Sequence, residues 1–160
     1  MREPNDAVRD HLVRLLDWED AHATFDKAVA GFPVGARGTR PPGFDHSAWQ
    51  LLEHIRIAQE DILDFCVNEH YQHTRAFPDD YWPKDPAPPS EAAWLASIDA
   101  FIATRSGVQQ LVREVDDLTA KVPTGEAHHT YLRSILLVAD HAVYHVGQIV
   151  LVRRALGVWA

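Results

Sequence analysis

Apolar residues recur at spacings of three and four in four stretches of this chain, and the segments between them are rich in proline, glycine and polar residues. This pattern predicts an all-α, four-helix bundle. The first stretch begins near Pro4 or Asn5 and reads as one helix to about Ala30, with Leu12, Leu15, Glu19, His22, Phe25 and Val29 along one face. Gly31, Phe32 and Pro33 stop it, because glycine suits a left-handed cap and proline cannot continue the hydrogen-bond ladder. The second opens on Ser47-Ala-Trp-Gln50, the pattern of a capping box, continues through Leu51, His54, Ile55, Ala58, Ile62 and Phe65, and ends near Cys66 or Val67. Ser90 is a good N-cap for the third, whose stripe of Trp94, Ile98, Phe101, Val108, Val112 and Val115 is interrupted by Arg105. The fourth runs from about Thr130 to Leu156 and is apolar nearly all round between Ser134 and Val152, as expected of a helix buried on most sides. The segment from Asn68 to Pro89 is long for a connection and carries Tyr71, Phe77, Tyr81 and Trp82. It reads as a loop packed on the bundle, over a pocket.

Composition narrows the class. With 160 residues and 46% hydrophobic content the chain is expected to be one domain, residues 1–160. A formal net charge of -8, with no basic stripe, argues against nucleic acid as a partner. The opening Met-Arg-Glu-Pro-Asn-Asp is largely charged and polar, with no basic segment leading into an apolar one, so a secretory leader is not expected. No uninterrupted apolar run is longer than Ile135 to Ala139, which falls well short of the roughly 20 residues that cross a bilayer. A cytoplasmic chain without a membrane partner is therefore expected. The single cysteine, Cys66, cannot form an internal disulfide and reads as a packing residue.

The ten histidines direct attention to metal chemistry. His141-Ala-Val-Tyr-His145 places two imidazoles one helical turn apart, so both can reach a common ion. Ala142 stands where H-E-x-x-H would need its glutamate, which disfavours a zinc protease. The residues around the pair are mainly Val, Ile, Leu and Ala, and two buried neutral imidazoles need partners for their nitrogens that a metal would supply. His54, in the buried arc of the second helix, is the best third ligand. Three imidazoles leave a coordination position open and suit Zn, Ni or a similar divalent ion.

His22, at a height similar to His54 in an antiparallel pair, reads as a fourth ligand, a general base or a hydrogen-bonded core histidine, the last two ranking above the first. Ser134 and Gln148 share a helical face with His141, and Asp61 lies two turns beyond His54, so all three are candidates for the pocket or for supporting the ligands. Gln50 is a candidate too, although capping is its more natural role, and Asp140 points away from His141. Arg105 binds an anionic substrate, snorkels to the surface or is ion-paired. His11, His46, His70, His73, His128 and His129 receive no role.

The segments Ser47–Phe65 and Ala139–Gln148, with Ala21–Phe25, Tyr81–Pro83 and Arg153–Trp159, resemble the DinB/YfiT-like superfamily over most of the chain. The resemblance implies a four-helix bundle of 1-2-4-3 topology, often dimeric, with a three-histidine metal site carried onto His54, His141 and His145 and holding zinc or nickel. It also implies a small-molecule substrate. Relatives include thiol S-transferases that use mycothiol or bacillithiol, and a mycothiol-dependent maleylpyruvate isomerase. The leading expectation is a metal-dependent thiol S-transferase using a low-molecular-weight bacterial thiol. The alternatives are a non-catalytic metal-binding stress-response protein and a metal-dependent hydrolase.

Overall fold

The structure, a computed structural model, describes residues 4–159; residues 1–3, part of the charged opening stretch, and Ala160 lie outside them. Five helices follow in order: α1 (Pro4–Leu15), α2 (Phe25–Val29), α3 (Ala48–Val67), α4 (Glu91–Glu114) and α5 (Tyr131–Ala155). The described residues contain no strand, and one isolated antiparallel bridge joins Lys121 to Thr130 in the α4–α5 connection. The three long helices begin close to where the sequence places them, the first two at their predicted caps. Ser47 and Gln50 form both halves of a capping box, and the Ser90 and Thr130 hydroxyls accept from the amides of Ala93 and Arg133.

The helices pack around two apolar clusters, with α3 against both α4 and α5. Phe25, Trp49, Trp94, Phe101 and Ile149 centre the first cluster, while Leu12, Val108, Val112, Ile135 and Val138 form the second. Stacked rings of Phe25 and Phe101, 4.0 Å between centroids, tie α2 to α4. Arg153, buried near the end of α5, donates to the carbonyls of Ala28 and Ala30 at 3.0 and 2.8 Å, satisfying orphan acceptors at the end of α2. By length and composition α5 is long and apolar enough to cross a membrane, with a mean hydropathy of 1.7 over its best window. Counting only the unbroken run Ile135–Ala139 misses this, because isolated polar residues interrupt an otherwise apolar helix.

The first predicted helix is in fact two pieces. Residues 16–24 leave the helix, and the Thr24 hydroxyl restarts it by accepting from the Lys27 amide. The cause lies on another element. Arg105, only 8% exposed on α4, donates from the same nitrogen to Asp17 at 3.1 Å and to Asp26 at 2.9 Å. In an unbroken helix, residues nine apart lie on opposite faces and about 13 Å apart along the axis, beyond the reach of one guanidinium. The break lets both carboxylates converge. It also removes Glu19 and His22 from the predicted inner face, and both are exposed. Of the roles open to Arg105, the ion-paired one is the one seen.

Replacing this arginine should loosen residues 16–24. Because both aspartates are partly solvated, Arg105→Met is expected to lower unfolding free energy by only about 1–2 kcal/mol. Amide exchange should accelerate first between residues 16 and 24, and unchanged exchange there would contradict the assigned role.

Candidate metal centre

His54 projects from the first half of α3, and His141 and His145 from successive turns of α5 packed beside it. One nitrogen from each ring falls within 4.8 Å of the others, and among the described residues no further histidine, cysteine or carboxylate joins this group. His54 and His145 are buried and His141 is half-buried. The rings meet edge to face, with centroids 4.6 to 4.8 Å apart.

The remaining nitrogens show how the rings are oriented. His54 Nδ1 donates to the Tyr81 carbonyl at 2.9 Å, and His145 Nδ1 donates to Gln148 Oε1 at 2.6 Å. Both hydrogen bonds put the proton on Nδ1 and leave the Nε2 lone pair free, which is how outer-shell acceptors prepare histidine for a metal. His54 Nε2 lies 2.9 Å from His141 Nε2. Since His54 Nε2 can only accept in this tautomer, His141 Nε2–H donates to it. The three rings therefore fit a divalent cation by their chemistry: neutral imidazole donors, converging, two with the opposite nitrogen already occupied.

Burial is the main reason these rings stay neutral. It pushes His54 and His141 down to about 4, and the positive charge each neighbouring imidazole would acquire adds to the effect. His145 is also lowered by burial, partly offset by its hydrogen bond to Gln148.

The long connection before α4 covers α3 as a strap. Near its end the Ser47 hydroxyl donates to the Pro86 carbonyl, and the Gln50 amide donates to the Pro83 carbonyl at 3.0 Å. Further along α3, His54 takes the Tyr81 carbonyl and Asp61 accepts from the hydroxyls of Tyr71 and Tyr81. The strap lays Trp82 flat on His54, at 3.7 Å between centroids and 6° between planes, and His46 stacks on the same indole at 3.9 Å. Sequence reasoning missed the positions of Trp82 and His46 beside the site. The signal was partial: an aromatic-rich loop expected to pack over a pocket, with no residue assigned to the stack.

The other candidates separate. Gln148 supports His145, and Asp61 connects to His54 through Tyr81. Gln50 keeps its capping role and also accepts from Arg40. Ser134 is buried and partners the Cys66 thiol, so it does not stand with the triad. His22 is exposed, with its ring nitrogen near the Ala23 carbonyl, and lines an apolar cleft with Leu15, Leu136, Leu137 and Val143. That cleft, about 640 Å³, contains none of the three imidazoles. Chemistry is assigned to the triad because donor atoms converge there, whereas the cleft wall is mostly hydrocarbon.

A model of the DinB superfamily matches residues 17–149. The chain belongs to the DinB superfamily. Neither a curated protein nor a solved structure matches it.

The depressed histidines predict a pH dependence for the metal-free protein. An unfolded imidazole takes its proton near 6.5, whereas folded His54 and His141 do so only near 4. Between those values the unfolded chain binds more protons, so stability falls as pH falls and levels off below about 4. Urea midpoints between pH 7.5 and 4 should trace this decline, with a shallower one in His54→Gln/His141→Gln. Equal slopes would assign the effect to other groups.

Proposed function

We propose that this chain is a divalent-metal-dependent enzyme in which His54, His141 and His145 hold zinc or nickel and a low-molecular-weight thiol is the co-substrate. The observation that supports it most is the size of the donor set: three converging imidazoles, with no fourth protein ligand joining them among the described residues. When bound, such an ion supplies Lewis acidity that lowers the pKa of a thiol or a water molecule.

The chain does not offer a reactive sulfur of its own. Cys66 is buried, burial pushes its thiol up from the ordinary value, and it packs beside Ser134. The sulfur must therefore arrive with the substrate. In the proposed reaction the thiol loses its proton, a carbon–sulfur bond forms to an electrophile, and the leaving group departs with its electron pair. His54 and His145 hold fixed tautomers throughout, and Trp82 covers one face of His54.

A second copy of the chain is the proposed partner. Leu136, Leu137, Val143, Tyr144 and Leu151 are all exposed along the outer face of α5, and a Cβ added at Gly147 would meet nothing within 4 Å. Exposed Arg133 and Asp140 lie on this same face. An antiparallel twofold pairing centred between Leu136 and Leu137 would set each Arg133 opposite the partner's Asp140. The apolarity of α5 is thereby assigned to the bundle core and a copy–copy contact, not to a bilayer. Leu137→Glu should convert a dimer to a monomer in sedimentation equilibrium; a monomeric parent protein would remove the proposal.

The catalytic proposal is tested on untagged protein by elemental analysis and then by turnover of a model electrophile with and without mycothiol, bacillithiol or cysteine. One equivalent of zinc or nickel and thiol-dependent conjugation are expected, both lost in His141→Ala. Stoichiometric metal without turnover would favour a non-catalytic metal-binding protein, and ester cleavage without thiol a hydrolase.

A further inference from the structure

Asp61 lies two turns beyond His54 on α3 and accepts the hydroxyl of Tyr81 at 2.5 Å and that of Tyr71 at 3.0 Å. Tyr81 is only 7% exposed although most of its strap is open to solvent. It touches α3 at two points: its hydroxyl reaches Asp61, and its own carbonyl receives the His54 Nδ1 proton at 2.9 Å. A 3-10 turn, Asp79–Tyr81, presents that carbonyl, and the next residue, Trp82, stacks on the His54 ring. One residue of the strap is thus clamped by its side chain while its main chain and its neighbour fix the ring of a candidate ligand.

We propose that Asp61 and the Tyr81 hydroxyl are positioning residues for His54, fixing the Tyr81 carbonyl and so the tautomer and ring plane in which His54 presents Nε2. The link to metal affinity rests on the reading of the triad as a metal site; the link to the ring does not. Carbonyl acceptors on metal-bound histidines commonly matter by 10- to 100-fold in affinity, and here the acceptor belongs to a loop that needs its own anchor. The rest of the cluster provides a control. Tyr71 shares Asp61 and sits 3.2 Å from the exposed His73 ring, which is itself 4.0 Å from Asp61, yet no contact of Tyr71 reaches His54. Both phenols remain protonated donors near neutrality: Tyr71 is pushed up to about 12, and Tyr81 is raised in the same direction, chiefly by burial and then by Asp61.

Two measurements on the full chain test this. In the metal-free protein, nitrogen-edited NMR of the imidazoles should show a slowly exchanging His54 Nδ1–H that becomes fast-exchanging in Tyr81→Phe and Asp61→Ala. Zinc affinity by chelator competition should fall 10- to 100-fold in the same two variants. It should change less than about threefold in Tyr71→Phe and recover in part in Asp61→Asn, which keeps an acceptor oxygen. The Tyr81→Phe/Asp61→Ala double variant should be no worse than the worse single one. A protected Nδ1–H and undiminished zinc affinity in Tyr81→Phe would overturn the proposal. An equal loss in Tyr71→Phe would also overturn it, since general anchoring of the strap would then suffice. If the parent protein takes up no zinc, the metal reading fails, while proton exchange at His54 still decides the positioning claim.

Discussion

An imidazole shielded from water must have partners for both nitrogens, and this bundle shields three of them side by side. Much of the architecture around α3 and α5 can be understood as meeting that requirement. The Tyr81 carbonyl takes one nitrogen of His54 and the Gln148 side chain takes one of His145, while His54 and His141 face each other through Nε2. Ring stacking adds a second restraint, since an indole lying parallel on His54 opposes rotation that would break the hydrogen bond. The same contacts that make burial tolerable hold one nitrogen of each ring close to the others.

This explains why a segment with little regular structure is fixed so firmly to one helix. A connection crossing α3 without anchors would leave His54 Nδ1 to solvent or to no partner. Instead the strap meets α3 at Ser47, Gln50, His54 and Asp61, with contacts spread over nearly four turns. Ser47 and Gln50 are also the two halves of the helix cap. The start of α3 and the seat of the strap therefore depend on one another, and a change at the cap would be felt at His54.

What the sequence disclosed and what it concealed divide along the range of the interactions involved. Ser47, Ser90 and Thr130 mark the starts of the long helices because capping is local, and His141 and His145 are visible as a pair because one helix carries both. His54 was reachable because its helix has a clear inner arc. The break between α1 and α2 was not, since it depends on Arg105, far away in the chain, drawing two aspartates together across residues 16–24. Reading through that break produced a false inner face and made His22 look like a core residue. The His46–Trp82–His54 stack was hidden for the same reason: its rings come from the approach to α3, the strap and α3 itself, and no spacing rule connects them.

The composition of the donor set bears on the chemistry in the proposed reading. Three neutral histidines would leave a bound dication its full charge, whereas thiolate or carboxylate ligands would cancel part of it. Such a centre acidifies an incoming thiol or water most strongly when its surroundings add no compensating anion. Ala142 keeps a carboxylate out of the His141–His145 turn. The carboxylate tied to the site, Asp61, reaches it only through Tyr81, its two oxygens occupied by tyrosine hydroxyls. With no free carboxylate joining the triad among the described residues, deprotonation would rest on the lowered pKa, with the proton passing to solvent. A site of that kind favours nucleophiles that are already fairly acidic, and a thiol meets that condition far better than water or an alcohol.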